Sequence, residues 1–178
     1  SHTEAAAIPY GGLLASHLLN KTSINRGDKV LIYGASGSIG TMAIQLAKVA
    51  GAEVTSVCSS KNFDLVKSLG SDEMIDYTAK NAMNQLETYK YVLDAVGDSK
   101  SSLLKEKCKK MIMPTGKYIS IDQGVPLTPK SAFLNLKNLV EKRKVKAVID
   151  RIYPLEKMSE AHDYVENGHK KGNVIITV

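Results

Sequence analysis

The stretch KVLIYGASGSIGTMAIQLAKVAGA, residues 29–52, contains a strand pattern, a glycine loop and a helix pattern in direct succession. The run KVLIY is apolar enough for a strand that is buried on both faces. Helical spacing begins after the loop, because Met42, Leu46 and Val49 lie four and three residues apart on one face. The stretch therefore predicts a strand, a tight turn and a helix that begins at the turn.

The same alternation continues along the chain. The patterns predict strands at Lys29–Tyr33, Glu53–Cys58, Glu73–Asp76, Tyr91–Asp94, Lys117–Ile121 and Lys146–Ile149. They predict helices at Ser38–Ala50, Asn62–Leu69, Asn81–Leu86, Ser101–Met111 and Ser131–Lys142, and a loop at Asp122–Lys130. Strands that alternate with helices favour a parallel sheet with helices on both faces. Right-handed crossovers favour the order 3-2-1-4-5-6. The predicted fold class is therefore α/β, a doubly wound six-stranded parallel sheet of the Rossmann type.

Composition narrows the classes of function. A chain of 178 residues suits one well-cored domain. The net charge of +6 arises in helical stretches with interleaved acids, such as residues 105–110 and 141–146, and aromatic residues make up only 6%. This favours solvated helix faces over nucleic-acid binding. No apolar run is long enough for a membrane span or a signal peptide. Cys58 and Cys108 form no CxxC pair, so we expect no structural zinc site, no disulfide framework and a cytoplasmic setting.

The glycine loop has the context of a phosphate-binding turn. Gly34, Gly37 and Gly40 recur at intervals of three, between the strand and the helix of a unit of about thirty residues. Gly37 would let the backbone approach a pyrophosphate, and Gly40 would let helix and strand pack closely. The N–H groups at the helix start would bind phosphate oxygens. We therefore predict a phosphate cradle rather than a ligand-free turn, formed by Ala35, Ser36, Gly37, Ser38, Ile39 and Gly40.

The end of the second predicted strand bears on the choice of dinucleotide. Sites for NAD place Asp or Glu about twenty residues past the glycines, where it binds the ribose 2′-hydroxyl. Here that position holds Ser59, Ser60 and Lys61, with no carboxylate. Two hydroxyls and a cation suit a 2′-phosphate, so the sequence predicts NADP(H) in preference to NAD(H). The alternative is that Lys61 is merely solvated and that the site accepts either cofactor.

Long blocks of the chain resemble a known family. Residues 27–60 (GDKVLIYGASGSIGTMAIQLAKVAGAEVTSVCSS), 91–97 (YVLDAVG) and 148–178 (VIDRIYPLEKMSEAHDYVENGHKKGNVIITV) are similar to successive blocks of the medium-chain dehydrogenase/reductase superfamily. The nearest branch is the quinone-oxidoreductase-like, zinc-type alcohol dehydrogenase-like one. The resemblance implies an oxidoreductase that transfers hydride between a nicotinamide cofactor and a carbonyl, enone or quinone.

The resemblance also implies roles for individual residues. It places Tyr77 beside the adenosine ribose, the stretch after the fourth strand beside the nicotinamide ribose, and the end of the fifth strand beside the nicotinamide. The residues concerned are Tyr77, Ala95, Val96, Gly97, Ile121 and Asp122. It implies no metal site, because this branch usually lacks catalytic zinc. It implies no catalytic residue in this chain either, because relatives place most of the substrate pocket in a separate GroES-like domain.

The expected organisation follows the same resemblance. We expect a helical lead-in at 1–27 whose Ser1–His2 is a tag scar, a dinucleotide-binding domain at 28–150, and a segment at 151–178 that relatives return to the catalytic domain. Relatives carry a dimer-forming strand after the fifth strand, and the stretch is shorter here, which leaves a homodimer open. We expect this chain alone to bind dinucleotide without turnover, and a small-molecule substrate to bind only in the full-length protein.

Three other classes of protein share parts of these patterns. A short-chain dehydrogenase needs Tyr-x-x-x-Lys on a helix; Tyr153 and Lys157 have that spacing, but Pro154 follows the tyrosine, after the sixth predicted strand. A methyltransferase that uses adenosylmethionine typically has an acid at the end of the second strand, where Cys58–Ser60 has none. A dinucleotide-binding or regulatory module without catalysis stays open.

Overall fold

Strand β1 (Lys29–Tyr33) lies in the middle of a parallel sheet, because its apolar side chains can be buried on both faces. In this computed structural model, the structure describes residues 1–98, 101–124, 129–168 and 170–178. The other strands of the sheet are β2 (Glu53–Cys58), β3 (Glu73–Asp76), β4 (Tyr89–Asp94) and β5 (Ile112–Ser120). Their order is β3-β2-β1-β4-β5, with every neighbour parallel. The predicted α/β doubly wound fold is therefore confirmed.

Helices cover both faces of the sheet. The helices among the described residues are α1 (His2–Ala7), α2 (Pro9–Asn20), α3 (Ser38–Val49), α4 (Phe63–Ser68), α5 (Leu103–Lys110), α6 (Lys130–Glu141) and α7 (Met158–Glu166). Four predicted helices occur with bounds within two residues of the prediction, and the weak one at Asn81–Leu86 is a 3₁₀ turn, Ala82–Gln85. The predicted loop at Asp122–Lys130 falls partly on residues 125–128, which lie outside the described residues. No helix in the described ranges is long and apolar enough to cross a membrane.

Two apolar cores follow from the alternation of side chains along the central strand. Val30 and Ile32 point to one face, where they join a large core with residues of α2, α3 and α6. Leu31 points to the other face and joins a smaller core with Leu104 and Cys108 of α5. A strand that buries both faces in this way reads as a continuous apolar run, which is why β1 could be predicted with its observed bounds.

The predicted sixth strand of the sheet is wrong. Residues 146–148 are not in a strand, and β6 (Ile149–Pro154) begins where the prediction ended. This strand pairs in parallel with β7 (Asn173–Thr177) in a separate two-stranded sheet, and α7 connects the two. The family resemblance predicts that the last strand of the chain packs in a catalytic domain. In this structure that strand, β7, pairs with β6.

Hydrogen bonds explain why residues 145–148 do not extend the main sheet. The Gln45 side chain, buried on α3, accepts the N–H of Lys146 at 2.8 Å and donates to its carbonyl at 3.1 Å. The carbonyl of Val148 accepts the backbone N–H of Asn173 at 2.9 Å. Val145 is buried in the larger core. These contacts use backbone groups that a sixth strand would offer to β5.

Gly40 gives a test of how closely α3 packs against the end of β1. A Cβ at this position would lie 2.2 Å from the carbonyl oxygen of Gly34 and 2.6 Å from Cα of Ala35. We expect Gly40→Ala to lower the free energy of unfolding by about 1–3 kcal/mol, because backbone atoms would have to move. Urea unfolding measures this. Gly37→Ser is the matched control, since that position has ordinary dihedrals and serine is a good N-cap. Equal losses in the two variants would contradict the close-packing account.

Candidate functional site

Backbone hydrogen bonds fix the loop between β1 and α3. The N–H groups of Gly34 and Ala35 both donate to the carbonyl of Val57 at 3.1 Å, which ties the loop to the end of β2. Gly34 has φ +81°, and a Cβ there would lie 2.4 Å from Cγ2 of Val96. The backbone therefore requires glycine at this position.

Gly37 differs from its neighbours because nothing in the described protein requires it. It is the N-cap of α3, with φ −79° and ψ 179°, a conformation that any residue adopts. Of the atoms in the described residues, a Cβ there would meet one within 4 Å, the carbonyl oxygen of Gly34 at 3.6 Å. The N-cap residue is a glycine, so its own side chain offers no acceptor to the first N–H groups of the helix. The space beside Gly37 and these donors suit an anionic group that approaches the backbone.

A cleft of about 510 Å³ opens at this point, at the carboxyl ends of β1, β2 and β4. Its lining residues are Tyr33, Gly34, Ser36, Gly37, Val57, Cys58, Tyr77, Ala95, Val96, Val165, Gly168 and Lys170. The strand order reverses between β1 and β4. Doubly wound sheets bind their ligands at such a reversal, and the volume is typical of a ligand pocket.

A larger open cleft, about 680 Å³, lies between α3 and α6 and is lined by several basic residues. It contains none of the glycine loop and none of the carboxyl ends of the strands. Fold topology rather than volume decides between the two, because ligand sites of this architecture lie at the strand ends. We therefore place the candidate site at the smaller cleft.

The structure brings part of the predicted site together. Five predicted residues line the cleft: Ser36, Gly37, Tyr77, Ala95 and Val96. Three others are buried beneath it: Ala35, Ser38 and Gly40. Two more pack against the larger core: Ile39 and Ile121. The remaining ones lie outside the lining: Ser59, Ser60, Lys61, Gly97 and Asp122.

Asp76, the last residue of β3, was not among the residues predicted from the sequence. Its carboxylate accepts the N–H and hydroxyl of Thr78 at 2.8 and 2.7 Å, and also the hydroxyl and N–H of Ser60. Burial alone would raise the pKa of Asp76, but these hydrogen bonds lower it to about 2. A carboxylate therefore lies at the tip of β2, although the sequence around Ser60 contains none. The signal was the sheet order, which pairs Cys58 with Asp76 in register.

The segment that precedes β7 contributes a cation to the cleft. Among the described residues that line it, Lys170 has the one charged side chain. Its Nζ donates to the carbonyl of Gly172 at 2.8 Å, and burial lowers the pKa of Lys170. The N–H of Gly172 in turn donates to the carbonyl of Ser36 at 2.8 Å. Lys170 could not be predicted, because the resemblance assigned its segment to another domain.

The sequence comparisons agree with this architecture. The profile of a family described as "Zinc-binding dehydrogenase" matches residues 38–166. The chain belongs to this family. Together with the relatives and solved structures described below, this match confirms the predicted resemblance to medium-chain, quinone-oxidoreductase-like proteins. Within the described ranges, no group of three or more His, Cys, Asp or Glu side chains could hold a metal ion.

Individual relatives match almost all of the chain. It is 32% identical over 222 residues to the mitochondrial NAD(P)H oxidoreductase RTN4IP1 of Mus musculus, covering 100% of this chain and 56% of that protein. It is 31% identical over 186 residues to a chloroplastic NADPH-dependent alkenal/one oxidoreductase of Arabidopsis thaliana, covering 97% and 46%. The structure of the quinone oxidoreductase from Coxiella burnetii superposes with a TM-score of 0.80 at 26% identity, covering 98% and 60%. The chain thus spans about half the length of these curated relatives.

The change in the free energy of unfolding at acidic pH tests the contacts of Asp76. Its folded pKa, about 2, lies below the ordinary value of 3.8. Its contribution to stability is therefore present above the ordinary value and is lost as the pH falls through about 2. We expect the unmodified chain to be more stable than Asp76→Asn near neutral pH, and the difference to shrink between about pH 4 and pH 2. Urea unfolding of both chains over this range measures it. A difference that does not change with pH would show that the carboxylate is not held as described.

Proposed function

We propose that this chain is the NADP(H)-binding domain of an oxidoreductase that transfers hydride between the nicotinamide and a carbonyl, enone or quinone. The names of the relatives supply the reaction class, and the strand-end cleft supplies the place for the cofactor. When bound, the dinucleotide provides the hydride chemistry, and the protein binds and orients it. The cytoplasmic setting and a homodimer stay predictions from the sequence.

One observation carries this proposal. Gly37 lies at the start of α3, where neither its dihedrals nor its packing requires glycine. The absence of a side chain there leaves open the space that a pyrophosphate needs beside the first N–H groups of the helix. A purely structural turn would have no reason to keep this space free, whereas the neighbouring Gly34 and Gly40 are required by backbone contacts.

The rest of the cleft supports a dinucleotide lying across it. Tyr77 is half exposed at the end of β3, on the side expected for the adenosine ribose. Ala95 and Val96 line the opposite side, after β4. Lys170 offers a positive charge between the glycine loop and the C-terminal segment. We assign the dinucleotide-binding domain to 28–150 and the helical lead-in to 1–27, and infer that the segment at 151–178 contributes Lys170 to the site.

A dinucleotide-binding module without catalysis is the second candidate. The chain itself spans 56% of the mouse relative, so binding and turnover of this part of the protein are measured separately. Both candidates predict the same binding, so turnover separates them. Steady-state oxidation of NADPH by a quinone, added to the purified chain, measures whether this part of the protein catalyses anything. Titration with adenosylmethionine in parallel tests the methyltransferase alternative.

The proposed cradle can be tested at Gly37. We expect Gly37→Val to abolish binding of NADP(H), because its side chain would fill the space needed by the pyrophosphate. The variant should stay folded, since within the described ranges a Cβ at 37 meets no atom closer than 3.6 Å. Calorimetric titration measures the affinity, and circular dichroism checks the fold. Unchanged affinity in a folded Gly37→Val chain would refute the cradle.

The preference for NADP(H) rests on Lys61, an exposed cation in the turn after β2. A charge-assisted contact with a 2′-phosphate contributes about 1.5–3 kcal/mol, so NADPH should bind at least about tenfold more tightly than NADH. Lys61→Ala should remove most of this preference. Lys67→Ala, an exposed lysine on the adjoining helix α4, is the matched control and should leave it unchanged.

Asp76 should weaken the preference for NADPH over NADH, which Lys61 strengthens. Hydrogen bonds from Ser60 and Thr78 hold its carboxylate at the same tip, and its negative charge would repel a 2′-phosphate there. Asp76→Asn should therefore increase the ratio of NADPH to NADH affinity. All affinities are measured at one ionic strength, because phosphate contacts are screened by salt. Equal dissociation constants for NADPH and NADH in the unmodified chain would refute the predicted preference.

A further inference from the structure

A buried carboxylate lies directly beneath one side of the cleft. Asp94 is the last residue of β4 and is fully buried. Its Oδ2 lies 2.7 Å from Nζ of Lys105 and accepts the hydroxyl of Tyr118 at 2.6 Å. Its Oδ1 accepts the N–H groups of Val96 and Gly97 at 3.0 and 3.2 Å. Lys105, Tyr118 and two backbone N–H groups thus converge on one carboxylate.

The cation of this ion pair also holds the loop. Lys105, on α5, is 2% exposed, and its Nζ donates to the carbonyl of Gly97 at 2.5 Å. Gly97 has φ +71°, so its conformation favours glycine. The short loop after β4 is therefore held at its N–H groups by Asp94 and at its carbonyl by Lys105.

The same network extends to the end of β5. Ser120 is buried, and its hydroxyl oxygen lies 3.5 Å from Oδ2 of Asp94. The same hydroxyl oxygen accepts the N–H of Asp122 at 3.4 Å. Asp122 in turn accepts the N–H of Asp98. A Cβ at Gly97 would lie 2.2 Å from the Asp122 carboxylate, so the two loops are in close contact. Asp94 thus links the two loops that were predicted to border the nicotinamide half of the cofactor.

The charge state of the network suits a fixed arrangement. Burial would raise the pKa of Asp94, but the hydrogen bonds from Lys105 and Tyr118 lower it below the usual range for aspartate. Burial and the bond to Asp94 raise the pKa of Tyr118, so its hydroxyl stays a donor. A buried ion pair adds little net stability compared with apolar side chains of the same volume. Its place under a ligand-lining loop therefore points to control of geometry.

We propose that Asp94, held by Lys105 and Tyr118, is a positioning residue that sets the loop 95–97 for the nicotinamide half of the dinucleotide. This rests on the proposed function. Ala95 and Val96 line the cleft, whereas Asp94 acts through them without lining it. The partners of Asp94 described above lie on β5, on the loop after β4 and on helix α5. Tyr77, on the adenosine side, lies outside this network.

Two ligands separate positioning from general stability. NADPH contains both halves of the dinucleotide, and adenosine 2′,5′-bisphosphate contains only the adenosine half. In the unmodified chain we expect NADPH to bind more tightly than adenosine 2′,5′-bisphosphate. Tyr118→Phe removes one donor to Asp94 and keeps the ring, and should weaken NADPH binding about tenfold, the effect of one charge-assisted hydrogen bond. Binding of the bisphosphate should stay within about twofold, because the adenosine side is untouched.

Lys105→Met provides a second variant, with Lys107→Met, an exposed lysine on the same helix, as its matched control. Lys105→Met should reproduce the selective loss and Lys107→Met should show none. If Lys105→Met fails to fold, Tyr118→Phe carries the test alone. The positioning role would be overturned if Tyr118→Phe left the ratio of the two affinities unchanged, either because neither ligand lost affinity or because both lost it equally. Failure of the unmodified chain to bind either ligand would instead overturn the proposed function.

Discussion

The close contact between the start of α3 and the end of β1 is the constraint on which the rest of the site depends. Gly40 lets the helix backbone lie against Gly34 and Ala35, where any side chain would meet backbone atoms. This contact aims the first turn of the helix at the reversal of strand order. It also fixes the distance between the helix start and the loop after β4, because Gly34 packs against Val96. The cleft is what remains between these elements once they are packed.

Local patterns predicted those parts of the fold whose causes are local. The strands β1, β2 and β3 have their predicted bounds, since each is an apolar or alternating run closed by a turn. The prediction of the sixth strand failed because the conformation of these residues depends on groups that are distant in the sequence. Lys146–Ile149 looks like a strand, but the side chain of Gln45, 101 residues earlier, binds the backbone of Lys146. Periodicity contains no information on such a partner.

The candidate site shows the same division. The glycine loop could be predicted because its spacing, strand and helix are contiguous in sequence. Asp76 and Lys170 were missed, because each enters the site from another part of the chain. Asp76 reaches the tip of β2 through strand register. Lys170 reaches the cleft because Gly172, two residues later, donates its N–H to the carbonyl of Ser36 in the glycine loop. Residues that approach a site through tertiary structure need the topology before they can be placed.

The two carboxylates near the cleft illustrate how environment decides the role of identical chemistry. Both Asp76 and Asp94 have a lowered pKa, and in both cases hydrogen bonds outweigh the effect of burial. Asp76 is partly exposed, so water screens its charge and it mainly fixes the turn at Ser60. Asp94 is fully buried, where the dielectric is low and its ionic and hydrogen-bonding partners are not replaced by water. Loss of a donor is therefore felt by the loop at the second site far more than by the turn at the first. That difference is the reason why the proposed positioning role belongs to the end of β4 rather than to the end of β3.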